Sequence, residues 1–208
     1  MFYRPKDGDH GMRHNPFKAL VSPRPIAWVS SLDAQGRANL APFSYFNALA
    51  DAPPLVMISI NGPKTPEQVE KDTLRNVTAT GEFVVNLVGA AHAQAMNQSS
   101  APYPHGADEF EEAGLEKAQS VEVAPPRVKG APAALECRLV EAKPLPVWDP
   151  ARRSDLLIGE VVGVHIDEAS IRDGRVDVTL YQPLARLGYM DYAKVSEVFE
   201  MHRPRIAD

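Results

Sequence analysis

The amino-acid sequence predicts a mainly β protein whose first strands form the kind of meander that begins a barrel. The chain contains 19 prolines in 208 residues. Because proline fixes φ and has no backbone donor, this content favours many short elements with fixed turns over a helix bundle. Three mostly apolar segments near the start of the chain are joined by short turn sequences. Segments connected in this way are typical of neighbouring strands in one layer.

Size and composition limit the possible classes. The chain is long enough for one sizeable core, and no repeat or linker divides it, so we expect a single domain over residues 1–208, with its core at about 17–195. A net charge of −5 without a basic run argues against a nucleic-acid partner. The single cysteine, Cys137, excludes an internal disulfide and a cysteine-built metal site. No apolar run approaches the roughly 20 residues of a membrane span, and residues 1–9 lack a signal-peptide core, so we expect a cytoplasmic protein without a membrane partner.

The first predicted strands lie between residues 26 and 60. Residues 26–32 form a strand, residues 33–36 a glycine-containing turn, and residues 37–46 the returning strand. Residues 55–60 form a third strand. Because nearly all of its residues are apolar, we expect it to be buried on both faces.

A helix is predicted next, over residues 73–80. Asp72 and Thr73 are good N-cap residues, and Gly81 stands where a helix usually ends. Thr65, followed by Pro66 and Gln68, is an alternative helix start. Leu74 and Val77 are the core-facing residues of the shorter helix.

The remaining elements are less regular. After a strand at 82–88, we expect short helices at 90–97 and 108–113 and a half-exposed strand at 133–142, with Glu136 on its exposed side. Residues 156–166 form another strand, in which Gly159 and Gly163 mark bulges. Residues 176–180 are compatible with either a strand or a loop.

The stretch 39–47 combines a strand composition with a central proline. Pro42 cannot donate to a ladder, so the stretch should lie at a strand end, an edge or a bulge. Small and hydroxylated residues stand beside aromatic ones in it. Such a segment can present backbone donors and a hydroxyl to a flat ligand, with aromatic rings at the sides. An ordinary bulged strand of the core is the alternative interpretation.

A phosphate-binding pattern accompanies this stretch. Lys71, Asp72 and Thr73 stand at a predicted helix start, where free N–H groups and the helix dipole favour an anion. Ser59 and Asn61 end the neighbouring strand. A simple helix cap is the alternative. Taken together, the three segments indicate a nucleotide-like cofactor with a planar headgroup, which would supply the chemistry in a chain that lacks the common catalytic motifs.

The histidines offer no catalytic constellation. His10 and His14 are four residues apart, a spacing that suits a metal on a helix, but Gly11 and Pro16 argue against a helix there. No third ligand is evident, so solvated histidines are the preferred interpretation, and no metal is predicted.

Several segments, taken in order, resemble the flavin reductase-like, FMN-binding split-barrel family. The resemblance covers about residues 17–195. The segments that carry it are residues 23–30, 39–46, 53–55, 71–76, 82–87, 108–110, 133–137 and 159–162.

This resemblance implies a six-stranded antiparallel split barrel and a homodimer with FMN at the subunit interface. The implied cofactor-binding residues are Asn39, Leu40, Ala41, Pro42, Phe43, Ser44, Tyr45, Ser59, Asn61, Lys71, Asp72, Thr73 and Tyr192.

Two functions follow from the resemblance. The first is an oxidoreductase that uses NADH or NADPH to reduce flavin or another small acceptor through FMN. The second is a non-enzymatic FMN-binding electron carrier that serves a protein partner, for which a site sealed by Tyr45 and the loop near Tyr103 is expected.

Overall fold

The computed structural model describes residues 1–62 and 70–204. The strands in this part of the chain are β1 (Arg24–Pro25), β2 (Ala27–Leu32), β3 (Ala38–Phe43), β4 (Phe46–Asp51), β5 (Pro54–Asn61), β6 (Glu82–Leu87), β7 (Lys117–Ala118), β8 (Arg127–Val128), β9 (Ala133–Pro144), β10 (Ser154–Ile166), β11 (Ile171–Arg172), β12 (Arg175–Val176), β13 (Leu184–Arg186) and β14 (Tyr192–Lys194). The α-helices are α1 (Phe17–Leu20), α2 (Asp72–Thr80), α3 (Ala93–Gln98), α4 (Glu109–Glu112) and α5 (Val178–Tyr181), and short 3-10 turns cover Ala90–His92 and Glu168–Ser170. The fold is mainly β, as predicted, and none of these helices is long and apolar enough to cross a membrane.

The main sheet is antiparallel and has the order β3-β2-β6-β9-β10-β5-β4. Its two outermost strands, β3 and β4, follow each other directly in the chain. The chain changes partner at Ser44 and Tyr45: Phe43 faces Ala27 of β2, whereas Phe46 faces Ile58 of β5. This continuity closes the sheet into a barrel.

The sheet therefore has seven hydrogen-bonded strands where six were predicted. The predicted strand at 37–46 ends at Phe43, and a strand that was not predicted, β4, begins at Phe46. The stretch 38–51 is divided into two strands because β3 pairs with β2, whereas β4 pairs with β5 where the barrel closes. For the same reason the predicted meander is only partly right, since β5 pairs with β4 and β10 and not with β3. Pro42 lies on an edge strand, as predicted.

The strand β5 is buried on one face only, so the expectation of burial on both faces is wrong. Val56, Ile58 and Ile60 point into the barrel core, while Leu55 and Met57 remain half-buried on the outer face. The pleat separates these two sets because successive side chains of a strand point to opposite sides.

The helix α2 confirms the predicted helix and its C-terminal stop. Leu74 and Val77 belong to the barrel core, and Gly81 has a left-handed φ of 76°. The N-cap residue is Lys71 and not Asp72 or Thr73, and the Lys71 side chain makes no capping hydrogen bond. Asp72 and Thr73 are inside the first turn and face other partners. The alternative start at Thr65 lies outside the described residues.

The long hairpin of β9 and β10 confirms both predicted bulges. Its register shifts between Ile158 and Gly159 and between Val161 and Gly163. Glu136 of β9, however, is completely buried and not on the exposed side. Its carboxylate accepts hydrogen bonds from the N–H groups of Val121, Glu122 and Val123 and pairs with His165, which removes the cost of burying it.

Two of the predicted short helices are present in the rest of the chain, whereas several short strands there were not predicted. The 3-10 turn with α3 and the helix α4 match the two predicted short helices. The segment 176–180 is neither a strand nor a loop throughout, because α5 begins at Val178 under a cap from the Asp177 carboxylate. A second core cluster, which includes Trp28, Leu40, Met96 and Phe110, joins β2 and β3 to α3 and α4.

Candidate functional site

A cleft follows β3 and consists of two adjoining recesses that share Pro42, Phe43 and Ser100. The polar recess has a volume of about 140 Å³ and is lined by Asn39, Lys71, Asp72, Thr73, Ser99 and Glu109, among others. The aromatic recess has a volume of about 250 Å³ and contains the rings of Phe43, Tyr45, Tyr189 and Tyr192. The cleft thus has one end suited to a charged group and one suited to a planar ring.

The polar recess is built where the start of α2 meets β3. The Asn39 side-chain amide donates to the Thr73 hydroxyl over 3.0 Å, and both residues are buried. Because this hydroxyl accepts from Asn39, its own proton can be donated to a ligand. The helix dipole adds a partial positive charge at the same place.

Charged side chains surround the polar recess. The Lys71 ammonium lies 5.6 Å from the centre of the Phe43 ring. The buried carboxylate of Asp72 pairs with Arg75, and its Oδ1 lies 2.7 Å from Nδ1 of His105. These contacts direct the Asp72 carboxylate toward Arg75 and His105.

The rear wall of the cleft is held by α4. The Glu109 carboxylate, 3% exposed, accepts a hydrogen bond of 2.9 Å from the Leu40 amide. Asp108 caps α4 by accepting from the Phe110 amide, and Phe110 is fully buried beneath β3. These contacts with α4 therefore hold β3 in position along the cleft.

Most of the predicted cofactor-binding residues line this cleft. They are Asn39, Ala41, Pro42, Phe43, Lys71, Asp72 and Thr73 in the polar recess, with Pro42, Phe43, Ser44, Tyr45 and Tyr192 in the aromatic recess.

Three predicted residues lie elsewhere. The Leu40 side chain is in the second core cluster, because alternation along β3 turns it away from the cleft. Ser59 and Asn61 lie on the outer face of β5, where Asn61 accepts a hydrogen bond of 2.7 Å from Ser154. Ser59 is still adjacent to the cleft through its backbone, since its amide donates to the Tyr45 carbonyl over 2.8 Å.

Several lining residues were not predicted. The loop 99–102 closes the polar recess, and Lys18, Arg24 and Arg186 line the aromatic recess. The sequence carries no local signal for these contacts, because the segments meet only through long-range packing. One example is the Trp28 indole, which donates to the Ser99 hydroxyl over 2.9 Å.

The histidines of the described chain line neither recess. The ring of His10 packs against Tyr3, and that of His14 lies 5.5 Å from the Tyr189 ring. No group of three or more potential metal ligands occurs in residues 1–62 and 70–204.

Comparison with known proteins decides the family. The model of the flavin reductase like domain matches residues 20–188. The chain belongs to this family. Membership confirms the resemblance seen in the sequence and supports FMN as the cofactor. An uncharacterised protein of Halalkalibacterium halodurans is 37% identical over 90% of this chain and 88% of its own length.

Solved structures agree with this assignment. Nitrilotriacetate monooxygenase component B from Bacillus cereus is 34% identical, with a TM-score of 0.87 over 97% of this chain and 98% of its own. The 2-nitrobenzoate 2-nitroreductase of Pseudomonas fluorescens is 29% identical, with a TM-score of 0.82 over 98% and 96%. This flavin reductase-like protein therefore shares its fold with such proteins over nearly its whole length.

Proposed function

We propose that the protein is an FMN-dependent oxidoreductase that takes a hydride from NADH or NADPH and passes the electrons to flavin or another small acceptor. The observation that carries this proposal is the continuity of the polar and aromatic recesses along β3. A ligand with a phosphate at one end and a planar ring at the other matches this arrangement.

The residues fit FMN at both ends. Thr73, Lys71 and the start of α2 would hold the phosphate, because a hydroxyl donor, an ammonium and the positive end of the helix dipole all favour an anion. Pro42, Phe43 and Ser44 would flank the ring, with Tyr45 at its side. FMN supplies hydride chemistry when it is bound.

The chain itself would bind and orient the reactants. Tyr189 and Tyr192 are 49% and 39% exposed, so the aromatic recess is open to solvent at this side. A second planar molecule can therefore reach the ring and stack there, and stacking is the geometry that hydride transfer requires. Tyr103 lines neither recess in the described chain and instead accepts a hydrogen bond of 2.6 Å from Gln98. This open site favours an enzyme over a sealed electron carrier.

We also propose that the protein acts as a homodimer. Apolar side chains on the outer surface of the barrel support this, since Leu49, Val140 and Val164 are 48%, 56% and 59% exposed. Ser59 and Asn61 face outward from β5, so in a dimer they could contact the flavin bound at the subunit interface.

Anaerobic spectroscopy tests the reaction. We expect NADH or NADPH to bleach the absorbance of bound FMN, and oxygen, free flavin or a ferric complex to restore it. If neither nicotinamide bleaches the flavin while dithionite does, the reductase is excluded and the electron carrier is supported. Widening the recess with Tyr45→Ala should change turnover more than FMN affinity.

A further inference from the structure

The aromatic recess contains three cations and, among the described residues, no acidic side chain. Lys18, Arg24 and Arg186 line it. No carboxylate of the described chain lies within ion-pair distance of any of them. This is unusual in a chain with a net charge of −5, because charges that line a cavity are normally compensated nearby.

Arg24 is the most constrained of the three. It is 8% exposed, and its terminal nitrogens donate to the carbonyls of Lys18, Val21 and Leu187. These bonds tie the N-terminal segment and the end of β13 together beside the recess. The Nε atom is buried and has no hydrogen-bond partner in the described chain. A buried donor without an acceptor is costly, so a ligand atom that accepts from it would be favoured.

Two of the three cations, Arg24 and Arg186, lie beside aromatic rings of the recess. The Arg186 guanidinium lies 4.4 Å from the centre of the Tyr192 ring, and that of Arg24 lies 5.8 Å from the Tyr45 ring. The residues proposed to flank the flavin belong to β3 and the turn after it. The three cations, which we call the cationic wall, come from α1, β1 and β13. The recess thus offers a second surface for a planar molecule, with positive charge at its edge.

We propose that this cationic wall binds the negatively charged group of the second reactant, and that the small acceptor is an aromatic carboxylate whose ring carries a separate reducible substituent. The carboxylate anchors the molecule and is not reduced, whereas the substituent takes the hydride and solvent supplies the proton. A planar ring with an attached carboxylate can stack on the aromatic side chains while its charge meets the Lys18 ammonium and the Arg186 guanidinium, because cations of both kinds pair with a carboxylate. The inference rests on the proposed function, because it names the class of molecule that exchanges electrons with FMN.

Calorimetric titration of the oxidised, FMN-loaded protein tests this without any turnover. Benzoate is the probe, and benzamide is its neutral counterpart of nearly the same shape. We expect benzoate to bind at least about tenfold more tightly than benzamide, since hydrogen bonds to a charged group exceed neutral ones by about this factor. Equal affinities for the two molecules would overturn the proposal.

Substitutions of the cations test whether they cause the preference for benzoate over benzamide. Lys18→Gln combined with Arg186→Gln should weaken benzoate at least about tenfold and leave benzamide nearly unchanged. The matched control is Arg152→Gln, an exposed arginine of the loop between β9 and β10, which should alter neither affinity.

Redox titration distinguishes cations that bind the second reactant from cations that interact with FMN. If the Lys18 and Arg186 substitutions shift the midpoint potential of bound FMN but leave benzoate affinity unchanged, the cations serve the flavin and the proposal fails. Benzoate binding is measured without NADH or NADPH. If neither nicotinamide reduces the flavin, the proposed function fails, but the benzoate affinities still test the cationic wall.

Discussion

The Thr73 hydroxyl stands between the Asn39 amide and the polar recess, and Lys71 precedes it at the helix start. Thr73→Val combined with Lys71→Ala removes a hydroxyl donor and a cation from the proposed phosphate site. Each charge-assisted contact contributes about 1.5–3 kcal/mol, so FMN affinity should fall at least tenfold. Fluorescence titration measures this loss.

Two controls accompany this substitution. Riboflavin lacks the phosphate, so its affinity should change much less. Thr78→Val alters a threonine of the same helix whose hydroxyl donates to the helix carbonyls of Leu74 and Arg75, and it should leave FMN affinity unchanged. Equal losses for FMN and riboflavin would place the phosphate elsewhere.

Cys137 provides a second prediction at this scale. Burial in the barrel raises the pKa of its thiol from 9.0 to about 12, with a smaller effect from the neighbouring Glu136 carboxylate. The unfolded thiol ionises near pH 9 while the folded one stays protonated, so the free energy of unfolding should fall as pH rises from about 9 to 12.

Denaturant titrations across this pH range check the effect. Cys137→Ala should remove this part of the pH dependence. In the folded protein the thiol should also resist a disulfide reagent at pH 8 until denaturant is added. Rapid labelling of the native protein would contradict the predicted burial.

The bulged hairpin of β9 and β10 makes a prediction at the scale of elements. A Cβ added at Gly159 would lie 2.4 Å and 2.7 Å from atoms of the Phe83 ring, whereas one at Gly163 would meet its nearest atom at 3.4 Å. Because Phe83 is fully buried, Gly159→Ala should lower the free energy of unfolding by about 1–3 kcal/mol. Gly163→Ala is the matched control and should cost much less in the same denaturant titration.

Glu136 links β9 to the segment 121–123 and to His165 on β10. Burial alone would raise the pKa of this carboxyl, but the hydrogen bonds from His165 and from the Val121 and Glu122 amides lower it. A lowered pKa gives stability that is present above the unfolded value of 4.5 and is lost as pH falls. Glu136→Gln should therefore destabilise the protein by roughly 1.5–3 kcal/mol at neutral pH and reduce its acid sensitivity. An unchanged acid transition in thermal melts would refute this.

The whole molecule should be a homodimer. The exposed apolar side chains on the outer surface of the barrel are the reason, because monomers seldom leave such faces uncovered. Light scattering at micromolar concentration should give twice the chain mass of 22.8 kDa. A monomer that retains FMN would show that the site does not need a second subunit.

Local patterns in the sequence determined much of this protein. The strand at 26–32, the helix ended by Gly81 and the two bulges each depend on a few neighbouring residues, whose backbone preferences act over short distances. The polar recess, where we propose the phosphate binds, was also partly predictable, because Lys71 and Thr73 stand together at one helix start. The ordered set of segments then indicated the family.

The tertiary structure decided what depends on long-range contacts. The change of partner at Ser44, the outward position of Ser59 and the burial of Glu136 are set by which strands meet, and residues distant in the chain determine this. The cationic wall could not be predicted for the same reason, because Lys18, Arg24 and Arg186 come together only when both ends of the chain pack beside β3. Lys71 and Thr73 reach the polar recess from one helix start, whereas the aromatic recess forms only when residues from both ends of the chain pack beside β3.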